Sequence, residues 1–412
     1  MNKLSVVILC HNNLYIDCVV SRIKSQLTSD DELIVMDDHS DCDVRELLRV
    51  ESDGVNIVIP QKSGNRAHNR NYAAELSKGD VLMFVDGDIL LEDGAIEYVR
   101  KYKFDDVSGM CGSVAAMQIV PEEANIILKS LYNSINWRDV RDFDFYHRIF
   151  PDGRGGGDCL AWNRFYSAIC IVPREKFFSA GTFDEYFSGW GGEDIDLGYR
   201  LSALGRLTFD DNIRGIHIPH SRNQLKNELT SRKNMYAMLS KYRNRDMEEL
   251  LSFACSQRAH DSLDYVIDVM KKVPDHYNFK GVQQDELCLN AVSAANPDGC
   301  ISYMNGNNLV QEGFLGLALP FEDGQFCQSK SDTRLFDYPV GLSTRIMQEL
   351  LRVSKTLIIR KVPPINFEWG DIENQFKHIF CYYKMKQFCD SYSDFEISDR
   401  GDFFIVTMPA KA

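Results

Sequence analysis

The stretch Val81-Leu82-Met83-Phe84-Val85-Asp86-Gly87-Asp88-Ile89 decides the fold. Its first five residues are apolar, short and bounded by the turn Lys78-Gly79-Asp80, the pattern of a strand buried on both faces. Such strands belong to open α/β sheets, and those sheets bind ligands beyond the carboxyl ends of their strands. Asp86 and Asp88 therefore stand where a ligand would sit. Hard divalent cations take oxygen ligands, so paired carboxylates there suit a cation that bridges a diphosphate. Taken alone, Asp-x-Asp is more often a solvated surface turn.

Strand-like runs alternate with helical stretches from residue 1 to about 220, as in a mostly parallel sheet flanked by helices. Strands are predicted at Leu4–Cys10, Glu32–Asp38, Val55–Pro60, Val81–Asp86, Gly109–Val114, Tyr166–Val172 and Arg206–Asp210. Helices are predicted at Asp17–Leu27 and Asn69–Ser77. The glycine-dense Asp152–Asp158 reads as a loop near the site rather than a phosphate cradle, because no strand leads into it. Arg222–Arg245 holds seven Arg or Lys against one Glu, and Leu229, Tyr236 and Leu239 lie near helical spacing. It reads first as a solvated amphipathic helix and second as a contact for anionic lipid or another polyanion.

With 412 residues, the chain exceeds what one core usually organises, so two domains are expected, 1–250 and 251–412, with the boundary near 245–262. A composition of 44% hydrophobic and 26% charged residues is that of a globular protein. The net charge of −14 argues against general nucleic-acid binding. No apolar run approaches a membrane span, and the first residues lack a signal-peptide core. The expectation is a cytoplasmic chain, with any membrane association peripheral at the inner face. The twelve cysteines form no Cys-x-x-Cys pair, which favours reduced thiols over disulfides or zinc.

Four segments read in order sharpen the reading: Ser5–Asn13 with His11 and Asn12, Ile34–Ser40 with Asp38, Gly64–Asn71 with Arg66 and Arg70, and Asp86-Gly87-Asp88. Together they resemble the nucleotide-binding half of family 2 glycosyltransferases of the GT-A fold. The resemblance implies a UDP-sugar donor, Asp38 on uracil, Arg70 near the diphosphate, and Asp86 and Asp88 at donor and metal. His68-Asn69 stands where an alanine commonly precedes the Arg-Asn pair, which leaves Arg66 and Arg70 open as alternatives.

Phe183 through Leu201, centred on Gly189-Trp190-Gly191-Gly192-Glu193-Asp194, is similar to the acceptor motif shared by bacterial chondroitin polymerases and beta-4 galactosyltransferases. Its glycines let backbone approach a sugar ring, and Trp190 offers an apolar face. Glu193 and Asp194 begin a helix whose dipole favours an ionised carboxylate, the state a general base requires. The resemblance implies an inverting single displacement, with Asp194 as base and Trp190, Gly191, Gly192 and Glu193 about the acceptor. Retaining polypeptide N-acetylgalactosaminyltransferases carry Asn at the position of Asp194. The segment Gly215–Arg222 resembles one that supplies a metal ligand in the galactosyltransferases, here His220 first and His217 second; imidazole tilts the site toward Mn²⁺ over Mg²⁺.

The expected acceptor is a glycan of a bacterial surface polymer or its lipid-linked precursor, with a peptide Ser, Thr or Cys as alternative. Residues 263–412 resemble the back half of a class I methyltransferase, including a closing hairpin near Phe395–Ile397 and Phe403–Thr407. They lack its Gly-x-Gly turn, so an accessory domain without cofactor is expected, shaping the acceptor channel or a homo-oligomer contact. The rival is a bifunctional enzyme that also methylates the glycan.

Overall fold

The computed structural model describes residues 1–13, 15–48, 53–116, 161–218, 220, 223–253, 257–272, 279–293, 296, 299–363, 368–369 and 396–407. The chain divides into two compact units, Met1–Asn234 and Met235–Ala412. That division falls inside a helix, upstream of the 245–262 stretch at which the sequence places a boundary.

In the first unit the order is β1 (Leu4–Cys10), α1 (Ile16–Lys24), β2 (Glu32–Asp37), α2 (Val44–Leu48), β3 (Val55–Val58), α3 (Arg66–Leu76), β4 (Val81–Asp86), β5 (Ile89–Leu91), α4 (Ala95–Lys101), β6 (Val107–Ala116), β7 (Ile169–Pro173), α5 (Arg174–Ser179), α6 (Glu193–Ser202), β8 (Arg206–His217) and α7 (Gln224–Tyr242). The strands form one mixed sheet in the order β3-β2-β1-β4-β7-β6-β8-β5. The mixed α/β class expected from the sequence is what the chain adopts.

Strands β3, β2, β1 and β4 run parallel, with Cys10 opposite Asp37 and Leu9 opposite Asp86. This register brings the ends of β1, β2 and β4 to one edge. Strands β1, β2 and β4 are apolar runs buried on both faces, as a sheet covered by helices demands, whereas β3 at the sheet edge is only partly buried. Helix α1 supplies cover through Ile16, Val19, Val20 and Ile23, spaced for one face. Helix α3 begins at Arg66, three residues before the predicted start, because the Asn65 side chain accepts from the His68 N–H at 3.1 Å and caps it.

Strand β8 continues well past Asp210, where the sequence reading ends it. Its last residues pair antiparallel with β5, Ile89 opposite His217 and Leu91 opposite Gly215, while β6 pairs along its other side. Strand β5 is three residues long and follows β4 after only a turn, so periodicity does not reveal it. Helix α7 corrects a second expectation. Leu229 is 61% exposed, whereas Ser231, Asn234 and Leu239 are buried, so the inward face is partly polar. Asp152–Asp158 lies outside the described residues.

In the second unit, α8 (Arg245–Phe253), α9 (Gln257–Met270), β9 (Glu286–Asn290), β10 (Cys300–Asn305), β11 (Asn308–Glu312), β12 (Gln328–Asp332), α10 (Val340–Val353), β13 (Thr356–Arg360), β14 (Glu396–Asp399) and β15 (Phe403–Thr407) give a sheet ordered β11-β10-β9-β12-β13-β15-β14. β9, β12 and β13 are parallel, and β14–β15 is an antiparallel hairpin at the expected place. β9, β10 and β11 form an antiparallel meander rather than an alternation of strand and helix. Among the described residues the eight cysteines are free, and no helix is long and apolar enough to cross a membrane.

A buried carboxylate organises this unit. Glu248 of α8 accepts from the backbone N–H groups of Leu315, Leu317 and Ala318 at 2.9, 2.7 and 3.4 Å. Burial pushes its carboxyl up to about 7, against the pull of those donors. A carboxyl that binds its proton more tightly in the folded chain contributes stability that is full below its ordinary 4.5 and is lost as pH rises through about 7. Glu248→Gln carries no charge at any pH. It should flatten the pH dependence of amide hydrogen exchange at Leu315 and Leu317 between about pH 5 and 8. An unchanged slope would show that Glu248 does not titrate in that range.

Candidate active site

The sheet edge that ends β1, β2 and β4 carries the residues expected at a nucleotide donor. His11 contacts the Asp38 carbonyl through Nδ1 at 2.8 Å, and Asn12 and Asp41 bond reciprocally. The Asp38 carboxylate accepts from the Gly64 N–H at 2.9 and 3.0 Å, which ties the β2 end to the start of α3. Asn13 donates to the Gly87 carbonyl, and a Cβ at Gly87 would lie 2.3 Å from the Leu9 carbonyl oxygen. Only glycine fits between the two aspartates, so this turn is built by close packing as well as by its acids.

Asp88 leaves that turn directly into β5. The antiparallel pairing of β5 with the end of β8 sets it beside His217, and the Ile218 N–H donates to the Asp88 carbonyl at 2.8 Å. Asp88 Oδ2 lies 3.3 Å from His217 Nε2 and 2.9 Å from His220 Nε2. Burial disfavours the Asp88 anion, but hydrogen bonds and positive charge from the two histidines outweigh it and hold the carboxyl well below its usual range. One ligand atom from each of the three falls within 4.8 Å of the others, a spacing that fits one divalent cation. One carboxylate with two imidazoles is a borderline donor set, suited to Mn²⁺ among the hard cations, and three protein ligands leave positions for phosphate oxygens.

Of the four residues expected at a metal, the structure gathers Asp88, His217 and His220 and sets Asp86 apart. Asp86 Oδ1 accepts from Arg70 Nη2 at 2.9 Å, and Arg70 Nη1 donates to Glu193 Oε1 at 3.2 Å. Arg70 is 1% exposed and stacks over the Phe183 ring, 5.3 Å from its centroid. Its charge is committed to two carboxylates. Arg66, at the N-terminus of α3, is exposed. Of the two arginines left open by the sequence, Arg66 is the one whose side chain reaches solvent.

The loop around Trp190, expected at the acceptor, contains three glycines, Gly189, Gly191 and Gly192, with φ of 80°, 81° and 107°, a conformation that favours glycine. Trp190 is 38% exposed, and its backbone N–H donates to Thr230 Oγ1 at 3.3 Å. Asn234 Nδ2 donates to the carbonyls of Ser188 and Gly191 at 3.1 and 2.6 Å. Sequence reading missed Thr230, Ser231 and Asn234. Their signal is that Asn227, Thr230, Ser231 and Asn234 recur at helical spacing as a small polar face within a basic helix.

Glu193 is buried and Asp194 partly buried at the start of α6. Asp194 Oδ2 accepts from the Ser167 N–H at 3.2 Å and Oδ1 from the Ile195 N–H at 2.9 Å. Burial first, and the neighbouring Glu193 charge second, push its carboxyl up to about 7, with the Ser167 bond and Arg70 pulling the other way. A carboxyl poised there gains and loses a proton near neutrality, as acid–base work requires.

Residues 5–171 match the family described as glycosyl transferase family 2, and residues 159–214 match that described as the N-terminal domain of galactosyltransferase. The first unit carries a family 2 glycosyltransferase domain.

The chain is 29% identical over 246 residues to a validoxylamine A glucosyltransferase of Streptomyces hygroscopicus subsp. limoneus, covering 53% of this chain and 52% of that protein. It is 29% identical over 156 residues to the poly(ribitol-phosphate) beta-N-acetylglucosaminyltransferase TarP of Staphylococcus aureus, covering 33% and 47%. The chain thus spans about half the length of the first of these relatives. Among solved structures, S. aureus TarS 1–349 in complex with UDP-GlcNAc aligns with a TM-score of 0.45 and 13% identity, over 66% of this chain and 82% of that one.

The glycosyltransferase unit yields a direct test of its histidine-carboxylate cluster. Asp88→Ala should abolish Mn²⁺ binding measured by electron paramagnetic resonance. His217→Ala and His220→Ala should each weaken it by at least about tenfold, the lower bound for disturbing a metal ligand's support. Wild-type Mn²⁺ affinity in any of the three would remove that residue from the site.

Proposed function

We propose that the chain is a metal-dependent, inverting glycosyltransferase of the GT-A type that moves a hexose or N-acetylhexosamine from a UDP-sugar to a glycan acceptor. One observation carries the reading. The donor motif and the acceptor motif, far apart in sequence, meet on the same guanidinium, Asp86 at 2.9 Å and Glu193 at 3.2 Å from Arg70.

In this reading Asp38 and the His11–Asn12 loop hold the uracil end, and Arg66 reaches the diphosphate. Asp88, His217 and His220 would hold the cation, whose chemistry when bound is to offset charge on the departing diphosphate. Trp190, Gly191 and Gly192 seat the acceptor sugar, and Glu193 orients it beside Asp194. Asp194 takes the proton from the acceptor hydroxyl as that oxygen attacks C1. The bond from C1 to the diphosphate oxygen breaks, and UDP leaves with the electron pair. A single attack opposite the leaving group inverts the anomeric centre.

A bacterial surface polymer or its lipid-linked precursor is the acceptor class we favour, on the likeness to a poly(ribitol-phosphate) glycosyltransferase. The second unit serves as an accessory domain without cofactor.

The test is Asp194→Asn with a UDP-sugar and acceptor. UDP affinity should persist while kcat falls by about 10²–10⁴, the usual worth of a positioned base. In the unaltered enzyme kcat/KM should rise as pH increases through about 7, because the base works ionised. NMR of the first-formed linkage should show the anomer opposite to the donor's. A retained anomer would sink the single-displacement role, however inactive the Asn variant proved.

A further inference from the structure

Arg70 sits where a diphosphate contact is expected, yet its environment is that of an internal strut. It is buried, with Nη2 on Asp86, Nη1 on Glu193 and its guanidinium carbon over Phe183. The backbone around it is tied to the same parts. Asn71, the next residue of α3, donates from Nδ2 to the Phe183 carbonyl at 2.8 Å and accepts from the Phe183 N–H at 2.9 Å. His68, one turn earlier, contacts Glu185 at 3.0 Å. Helix α3 is therefore locked along one face to the segment that leads into the acceptor loop.

We propose that Arg70 is a positioning residue that joins the donor motif to the start of α6, seating Glu193 and Asp194 relative to Asp86, and is not a ligand of the diphosphate. The inference rests on the reading of Asp194 as base. Geometry supplies the first part of its effect, because a planar fork can hold two carboxylates at fixed separation and an ammonium cannot.

Charge supplies the second part. The groups that face Asp194 are Glu193 beside it in the chain, Cys111 of β6, Cys170 of β7 and Arg70. Arg70 is the cation among these, and its two partners already share its charge. Among the described residues, loss of that charge would leave Asp194 facing Glu193 with only the Ser167 and Ile195 backbone donors to offset it. Its protonated form would then persist to higher pH.

Two variants separate these contributions, each assayed for kcat and kcat/KM against pH and for UDP affinity by calorimetry in Mn²⁺. Arg70→Lys keeps the charge and loses the fork. Its kcat should fall about tenfold at every pH, with the acidic limb of the pH profile in place and UDP affinity within about threefold of the parent. Arg70→Met loses both, and its acidic limb should move up by about one pH unit. A fall in UDP affinity of tenfold or more in Arg70→Lys would overturn the proposal in favour of a diphosphate ligand, and wild-type kcat in that variant would overturn it outright. A folded Arg70→Met with an unmoved limb would reduce Arg70 to a purely structural part. Should Arg70→Met fail to fold, the Lys variant alone decides. Asp194→Asn, run in parallel, keeps the two readings apart: activity in that variant sinks the base assignment, whereas an inactive Asp194→Asn with an unmoved Arg70→Met limb sinks only the role of Arg70.

Discussion

A guanidinium taken out of water needs compensating charge, and the first unit is arranged around meeting that need for Arg70. Asp86 ends β4, Glu193 begins α6, and Arg70 projects from α3 between them. Removing either carboxylate would leave a buried charge half-compensated, at a cost of several kcal/mol by the usual worth of such pairs. The turn that carries Asp88 and the helix that carries Asp194 are thus fixed by the same ion-pair triad. On the proposed reading the site holds two substrates in register and gains from having both halves anchored to one group.

Topology explains why the remaining residues gather. Four parallel strands deliver Cys10, Asp37 and Asp86 to one edge, and the loops beyond them hold His11, Asp38 and Arg66. The sheet then reverses direction at β7, and β8 returns parallel to β6 so that its end meets β5. That meeting creates the Asp88–His217–His220 cluster. Residues more than a hundred positions apart become neighbours through three ladder pairs and two further backbone hydrogen bonds, Ile218 to Asp88 and Glu92 to Arg214.

Much of this was legible in the sequence because it rests on short-range signals. The strand Val81–Asp86 is found residue for residue, since a continuous apolar run bounded by Lys78-Gly79-Asp80 has few other readings. The buried leucines of α6, Leu197 and Leu201, follow from helical spacing. What was not legible depends on tertiary pairing. Strand β5 is too short to show a period, and the extension of β8 past Asp210 exists because β5 pairs with it. The burial of Arg70 could not be read from an arginine in a polar helix, since its partners lie 16 and 123 residues away. The inward face of α7 was hidden in the same way: Asn234 is buried because the loop around Trp190 needs its donors, which no periodicity of apolar residues reports.

On the proposed reading the first unit activates a sugar nucleotide through a cation held by Asp88 and the two histidines. Hydrolysis of a panel of UDP-sugars, followed by release of UDP without any acceptor, tests it most directly. Slow UDP release from at least one UDP-sugar is expected in Mn²⁺, and it should stop when the cation is chelated. Turnover undiminished by a chelator, or no UDP release from any UDP-sugar in Mn²⁺, would contradict that reading.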